Sequence, residues 1–305
     1  MVGPLWAGLA ESRHRLRPPG EGVGADRSLV AGVNALFRAA EARRPAADRI
    51  LNDPFAEVLG ERHPLITAIA HARPVLPPLR RELDRLQVAH CTRHRALDVL
   101  VEAALADGFT QVVLVGAGYD TRVLRLPGAA AARWYEVDRP GTFARKAARL
   151  VAVLGGSARS ASAFGPGSSA IAVPADVRNG LAAPLVQAGF DATQPTCYVL
   201  EGLVHYLPPA VLDRLAAELT PQARVLVSFI DPVMVPAASV VFTSLVKVLR
   251  EAPRQTFTAA DLAARFPGFR LAGHWPFAAQ VRAFAPAAAG RSVGVSQDIA
   301  QLDRG

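Results

Sequence analysis

The chain has 305 residues, 51% of them apolar, and a formal net charge of +8. That length supports one sizeable core, while no run reaches the roughly 18 consecutive apolar residues that a membrane span needs. Glu11, Arg13, Arg15 and Arg17 interrupt the stretch where a secretory signal would need its apolar segment, so none is expected. Cys91 and Cys197 read as free thiols of a reducing compartment, which makes the cytoplasm the expected location. No Cys/His cluster has zinc-ligand spacing, and no metal is expected. The positive charge is nearly all arginine, scattered among carboxylates, with lysine at Lys146 and Lys247. A nucleic-acid binder shows a basic stripe with interleaved aromatics instead, so neither nucleic acid nor membrane is expected as a partner. Oligomeric state is not written in the pattern.

Residues 1–27 are rich in Pro, Gly and Arg and read as a flexible tail. From 28 to 106 the pattern is helical: Leu29, Val33, Leu36 and Phe37 recur at helical spacing, as do Leu83, Leu86, Leu97 and Leu100, and prolines between Pro45 and Pro78 cut the region into several helices. The pattern then changes. Gln111–Val115, Arg133–Val137, Ile171–Pro174, Thr196–Leu200 and Arg224–Ile230 are short β-rich runs, separated by helical stretches near 140–153, 180–188 and 209–219. This alternation predicts βαβ units and a mainly parallel sheet covered on both faces, within a domain spanning 107–290. After Asp231, helices are expected over Val240–Leu249 and Ala259–Phe266, and two final strands over Phe269–Gly273 and Gln280–Ala285, antiparallel at the edge. Residues 286–305 carry no pattern, and 291–305 read as a C-terminal tail.

The chemistry sits where strands end. Gly116 and Gly118 follow the first strand, where glycine lets the backbone turn sharply and approach a ligand. Glu136 and Asp138 end the second strand about 20 residues on, the place for an acid that accepts hydrogen bonds from both ribose hydroxyls of an adenosine. This pair leaves S-adenosylmethionine and NAD(H) both open, but the dinucleotide fingerprint wants a third glycine where this chain has Thr121. Asp176 follows the third strand and is placed either to meet an adenine amino group or to cap a helix. Glu201 follows the fourth strand, where a carboxylate could hold an ammonium group.

The segments that carry a family likeness are Asn52–Asp53–Pro54–Phe55–Ala56, Arg93–His94–Arg95–Ala96–Leu97–Asp98, Gly116–Ala117–Gly118–Tyr119–Asp120–Thr121–Arg122, Glu136–Val137–Asp138–Arg139–Pro140 with Lys146, and Glu201–Gly202–Leu203–Val204–His205–Tyr206–Leu207. In this order the chain resembles the leucine carboxyl methyltransferase family, in particular its bacterial branch of small-molecule O-methyltransferases. The resemblance implies a class I methyltransferase-like Rossmann fold with a mainly parallel seven-stranded sheet, an N-terminal helical lid and S-adenosyl-L-methionine as cofactor. It also implies that Arg93 pairs with the cofactor carboxylate, with Arg95 the neighbouring alternative. Gly116 and Gly118 would pass close to the methionine part, Asp138 would hold the ribose, Asp176 and Val177 would flank the adenine, and Glu201 would lie beside the reacting centre. Position 205 is usually apolar in the family, and the chain after Asp231 matches poorly, so the acceptor does not carry over.

Methyl transfer from a sulfonium is an in-line displacement governed by alignment and desolvation. A carboxylate acceptor needs no base, whereas a phenol or alcohol does. His205 is therefore the general-base candidate for a hydroxyl acceptor, with a partly buried, backbone-bonded histidine as the plain alternative. Tyr206 either orders the site or packs. His90 and His94 are expected to have no chemical role. The expected function is O-methylation of a carboxylate or hydroxyl of a small molecule, by analogy in secondary metabolism. A non-catalytic S-adenosylmethionine binder and an NAD(P)-dependent oxidoreductase are the alternatives; the latter is disfavoured by Thr121 and by the absence of a Tyr-x-x-x-Lys pair.

Overall fold

The structure, a computed structural model, describes residues 29–60, 77–154, 170–237, 253–288 and 297–304. The expected tail over 1–27 and the expected helix over 240–249 lie outside these residues. In chain order come helices α1 (Leu29–Ala42), α2 (Ala56–Leu59) and α3 (Pro77–Ala106), then β1 (Gln111–Val115), α4 (Arg122–Arg125), β2 (Arg133–Asp138), α5 (Pro140–Leu154) and β3 (Ala170–Pro174). There follow α6 (Ala182–Gln187), β4 (Thr196–Leu200), α7 (Pro209–Ala217), β5 (Ala223–Phe229), α8 (Ala259–Ala264), β6 (Phe269–Trp275), α9 (Phe277–Phe284) and β7 (Asp298–Arg304).

The seven strands form one sheet in the order β3-β2-β1-β4-β5-β7-β6. The first five are parallel, and β7 lies antiparallel between β5 and β6. All five residues of β1 and of β4 are buried, because the sheet is covered on both sides. Alternate residues face alternate layers. Val112, Leu114, Trp134 and Val199 pack with Leu97 and Val101 of α3, Ala35 of α1 and Leu150 of α5. Val113, Val115, Tyr135 and Val225 pack with Leu185 of α6, Leu212 and Leu215 of α7 and Leu262 of α8. The C-terminal half of α3 is therefore part of the sheet's helical layer, while its N-terminal half meets α1 and α9, so this one helix joins the expected 28–106 region to the sheet domain.

Two expectations fail. Residues 280–285 are not a strand: 280–284 belong to α9 and Ala285 caps it, with Phe277, Val281 and Phe284 at helical spacing and Phe277 and Val281 against Ala89 of α3. Residues 291–305 are not simply a tail, because 298–304 form β7 with Ile299, Ala300 and Leu302 buried. No helix among the described residues is long and apolar enough to cross a membrane.

Candidate active site

The carboxyl edges of β1, β2 and β4 meet at a turn built from glycine. Gly116 has φ +69° and Gly118 φ +52°, in a region that residues with a Cβ rarely adopt. The N–H groups of Gly116 and Ala117 donate to the carbonyl of Val137, at 2.8 and 3.0 Å, and so tie the turn to the end of β2. Asp138 completes the tie: Gly118 N–H donates to its Oδ2 at 2.7 Å and Arg139 N–H to its Oδ1 at 2.7 Å. Burial raises the Asp138 carboxyl above its ordinary value, and these backbone donors pull it back only in part. A Cβ on Gly116 would stand 3.0 Å from the Leu203 side chain, and one on Gly118 3.3 Å from Ala31 of α1. The turn is thus a narrow cradle between the first helix and the loop after β4.

Arg93 and Glu201, 108 residues apart, meet at the mouth of this cradle. Arg93 Nε donates to Glu201 Oε1 at 3.0 Å and its Nη2 to His90 Nδ1 at 2.8 Å, which leaves Nη1 without a hydrogen bond among the described residues. Glu201 also accepts from Arg122 Nη2 at 2.8 Å and lies 2.9 Å from His94 Nδ1. Burial alone would raise the Glu201 carboxyl, but His94, Arg122 and Arg93 around it hold it well below the usual carboxylate range.

The sequence reading missed Arg122. It is fully buried and donates to Asp98 at 2.8 Å, to Asp120 and to Glu201. Burial would raise Asp120, yet the positive groups around it, Arg122 foremost, together outweigh burial and hold this carboxyl at about 2. The network continues outward. Arg125 donates to Asp98 at 2.6 and 2.8 Å and to Thr121 at 3.2 Å; Thr121 donates to Asp53 at 2.8 Å; Arg38 of α1 donates to Asp53 at 2.8 Å and to the carbonyl of Tyr119 at 2.6 Å. Every motif segment except that of Asp138 thereby joins one buried set of charges. The signal was present in sequence as charges set inside otherwise apolar motifs, but their pairing is long-range. Ligand atoms of His94, Asp120 and Glu201 lie within 4.8 Å of one another, and the cation among them is the Arg122 guanidinium, which bonds to both carboxylates and has Nη2 3.0 Å from His94 Nδ1.

The remaining expected residues are placed as follows. Asp176 caps a short turn at Val177–Asn179, accepting from the N–H of Arg178 at 2.9 Å and pairing with its side chain; it sits at the end of β3, with Val177 buried in the core. His205 is buried in the turn Val204–Tyr206, and its carbonyl accepts from the N–H of Arg254 at 2.7 Å. Burial lowers its imidazole to about 3, with Arg93 adding to the effect, and its Nδ1 has no partner among the described residues. Tyr206 lies against it, ring centroids 4.3 Å apart. Arg95 is half-buried and outside the network.

A parallel sheet of this order, with one antiparallel strand, β7, set between β5 and β6 and a glycine cradle at its carboxyl edge, defines the class I methyltransferase-like Rossmann fold. The chain belongs to the leucine carboxyl methyltransferase family, whose sequence profile matches residues 31–220. Among its relatives, a provisionally named S-adenosyl-L-methionine-dependent methyltransferase of Mycolicibacterium smegmatis is 34% identical over 197 residues, covering 63% of this chain and 62% of that protein. The match thus spans less than two thirds of that relative's length. Two solved structures share the fold. A DUF574 family protein from Streptomyces avermitilis is 16% identical with a TM-score of 0.55, covering 87% of this chain and 99% of the other. A protein from Thermobifida fusca, provisionally described as a methyltransferase, is 19% identical with a TM-score of 0.55, covering 94% and 98%.

Proposed function

We propose that the protein is an S-adenosyl-L-methionine-dependent O-methyltransferase that acts on a carboxylate or hydroxyl of a small molecule, with secondary metabolism as its setting. One observation supports this above the others: the acid that ends β2 closes on the glycine turn after β1, and an arginine–glutamate pair faces the same sheet edge from α3 and β4. The residues fit the cofactor. The cradle has room only for backbone at Gly116 and Gly118, and Arg93 keeps Nη1 for a ligand carboxylate. Asp138 would hold the ribose hydroxyls, Asp176 and Val177 would border the adenine, and Glu201 would take the ammonium and lie beside the reacting centre. Bound there, the cofactor supplies an electrophilic methyl group. The chain's own contribution is to align it and to exclude water, which the buried network from α1 to β4 supports. Tyr206 would help to shape the acceptor side. The buried Thr121, bonded to Asp53, stands where a dinucleotide fold packs a third glycine, which disfavours the oxidoreductase reading.

Calorimetric titration with S-adenosylhomocysteine, with NADH as control, tests the reading. Binding of the first alone is expected. Binding of NADH, or of neither, overturns it.

A further inference from the structure

Three histidine nitrogens near Arg93 and Glu201 are buried without a partner among the described residues: Nε2 of His90, Nε2 of His94 and Nδ1 of His205. A buried polar atom left unpaired is costly, so such atoms point to a group that completes them. The sense of two of these nitrogens follows from their partners. Guanidinium groups only donate. Arg93 Nη2 donates to His90 Nδ1 at 2.8 Å, so a neutral His90 carries its proton on Nε2.

His94 has the opposite arrangement. Arg122 Nη2 has two hydrogens and three groups within reach, Glu201 Oε2 at 2.8 Å, His94 Nδ1 at 3.0 Å and the His94 carbonyl at 3.1 Å, and the two oxygens can take both hydrogens. His94 Nδ1 lies 2.9 and 3.2 Å from the two oxygens of Glu201, an ionised carboxylate that can only accept. A bare Nδ1 would set its lone pair against both of those oxygens; a proton there bonds to Glu201 instead, and Nε2 then keeps a bare lone pair. His94 is 2% exposed and its ring stacks on that of His90, with centroids 5.9 Å apart. The charged and titratable groups that face it are Arg122 from α4, Asp120 from the loop before α4, Glu201 from the loop after β4, and Asp98, His90 and Arg93 from its own helix. Burial, with Arg122, keeps the ring neutral.

A carboxylate that fixes the tautomer of an imidazole and leaves the far nitrogen free is the arrangement a general base requires. We propose that His94, oriented by Glu201, is the general base of the reaction, and that the acceptor is a neutral hydroxyl, a phenol or enol, which donates to His94 Nε2. This rests on the methyltransferase reading and narrows its acceptor. A carboxylate acceptor has no proton to give, and a bare lone pair beside it would repel it. The acceptor oxygen passes its proton to Nε2 and its electron pair to the incoming methyl carbon, while the carbon–sulfur bond of the donor breaks and leaves its pair on sulfur. The imidazolium so formed faces Glu201 and returns its proton to water when product leaves. His205, the candidate from sequence, has no carboxylate orienting it among the described residues.

The test uses the full chain, labelled with 15N at histidine and titrated with S-adenosylhomocysteine. The heat of that titration reports the methyltransferase reading separately. The imidazole nitrogens of His94 are assigned by their absence in His94→Gln or, if that variant does not fold, by elimination with His90→Gln and His205→Gln. Protonated Nδ1 and bare Nε2 at neutral pH are expected. A proton on Nε2, or an imidazolium, overturns the proposal even where S-adenosylhomocysteine binds. Screening phenols, enols and carboxylic acids for turnover then tests the acceptor class. Carboxylic acids as the sole acceptors overturn it. On a phenol, His94→Gln should lower kcat by about 10²–10⁴-fold, with a far smaller change in S-adenosylhomocysteine affinity. An equal loss in His205→Gln with none in His94→Gln would move the base to His205.

Discussion

Replacing Arg122 by methionine keeps an unbranched stem and removes the cation against which three carboxylates are buried. They do not suffer equally. Asp98 keeps Arg125, and Glu201 keeps Arg93 and His94. Asp120 has no other ion pair among the described residues and retains only the N–H of residue 122, now at 2.7 Å. The fall of the Asp120 carboxyl from 3.8 to about 2 is itself worth about 2–3 kcal/mol at neutral pH. Removing one partner of a buried pair typically costs about 3–5 kcal/mol, and Arg122→Met is expected to lose that much stability near pH 7. The pH dependence gives the sharper check. The wild-type carboxyl, depressed in the fold, contributes stability that is present above the unfolded value of 3.8 and is lost as pH falls through about 2. In the variant, burial without a paired cation raises the same carboxyl, so its penalty is greatest at neutral pH and disappears as it protonates. Denaturant unfolding of both proteins, followed by tryptophan fluorescence, should show the gap narrowing between about pH 7 and pH 4.5. A loss below ~1 kcal/mol, or one that is the same at both pH values, would refute the account of Arg122 as the cation of a buried cluster.

Asp138→Ala should weaken S-adenosylhomocysteine binding by about 1–3 kcal/mol through loss of a charged acceptor; unchanged affinity by calorimetry in a folded variant removes Asp138 from the site. Gly118→Val should destabilise the fold and weaken the same ligand, since φ is +52° and the new Cβ would press on Ala31 at 3.3 Å; a wild-type melting temperature would show that the turn is not strained as described. Glu136, fully buried and 2.6 Å from Lys146 Nζ, is raised by burial from 4.5 to about 7 despite that lysine. Because the native form keeps a proton that the unfolded chain has already released, this group's contribution should fall by ~3 kcal/mol as pH rises from 4.5 through about 7. Melting curves at either end of that window should converge in Glu136→Gln, and an undiminished slope would mean another group carries it.

What could be read from the chain follows from how far each signal reaches. The five parallel strands announce themselves as apolar runs, because strands covered on both faces need no polar alternation, and their ends fall within a residue or so of expectation. Gly116, Gly118, Asp138 and Glu201 follow from strand ends in turn, since the carboxyl edge collects whatever follows each parallel strand. The segment 280–285 misleads because Val281, Ala283 and Ala285 alternate while Phe277, Val281 and Phe284 also fit a helix, and packing on α3 decides. Strand β7 is obscured by Asp298, Gln301 and Asp303, which are polar within the strand: Asp298 bonds to His274, and Asp303 to Arg224. Arg122, Asp98 and His94 could not be placed by any local pattern, because their roles depend on partners from 24 to 107 residues away.

The separation between Arg93 and Glu201 also bears on the order in which the protein can be made. Synthesis runs at about 5–20 residues per second, and 108 residues separate the two partners. For several seconds the segment that becomes α3 is out with Arg93 and His94 before Glu201 has emerged, and the long loop this pairing closes is entropically costly to form. Premature burial of the Arg93 side of that segment would trap uncompensated charge. The same network that fastens the finished cradle therefore withholds closure until the fourth strand has arrived.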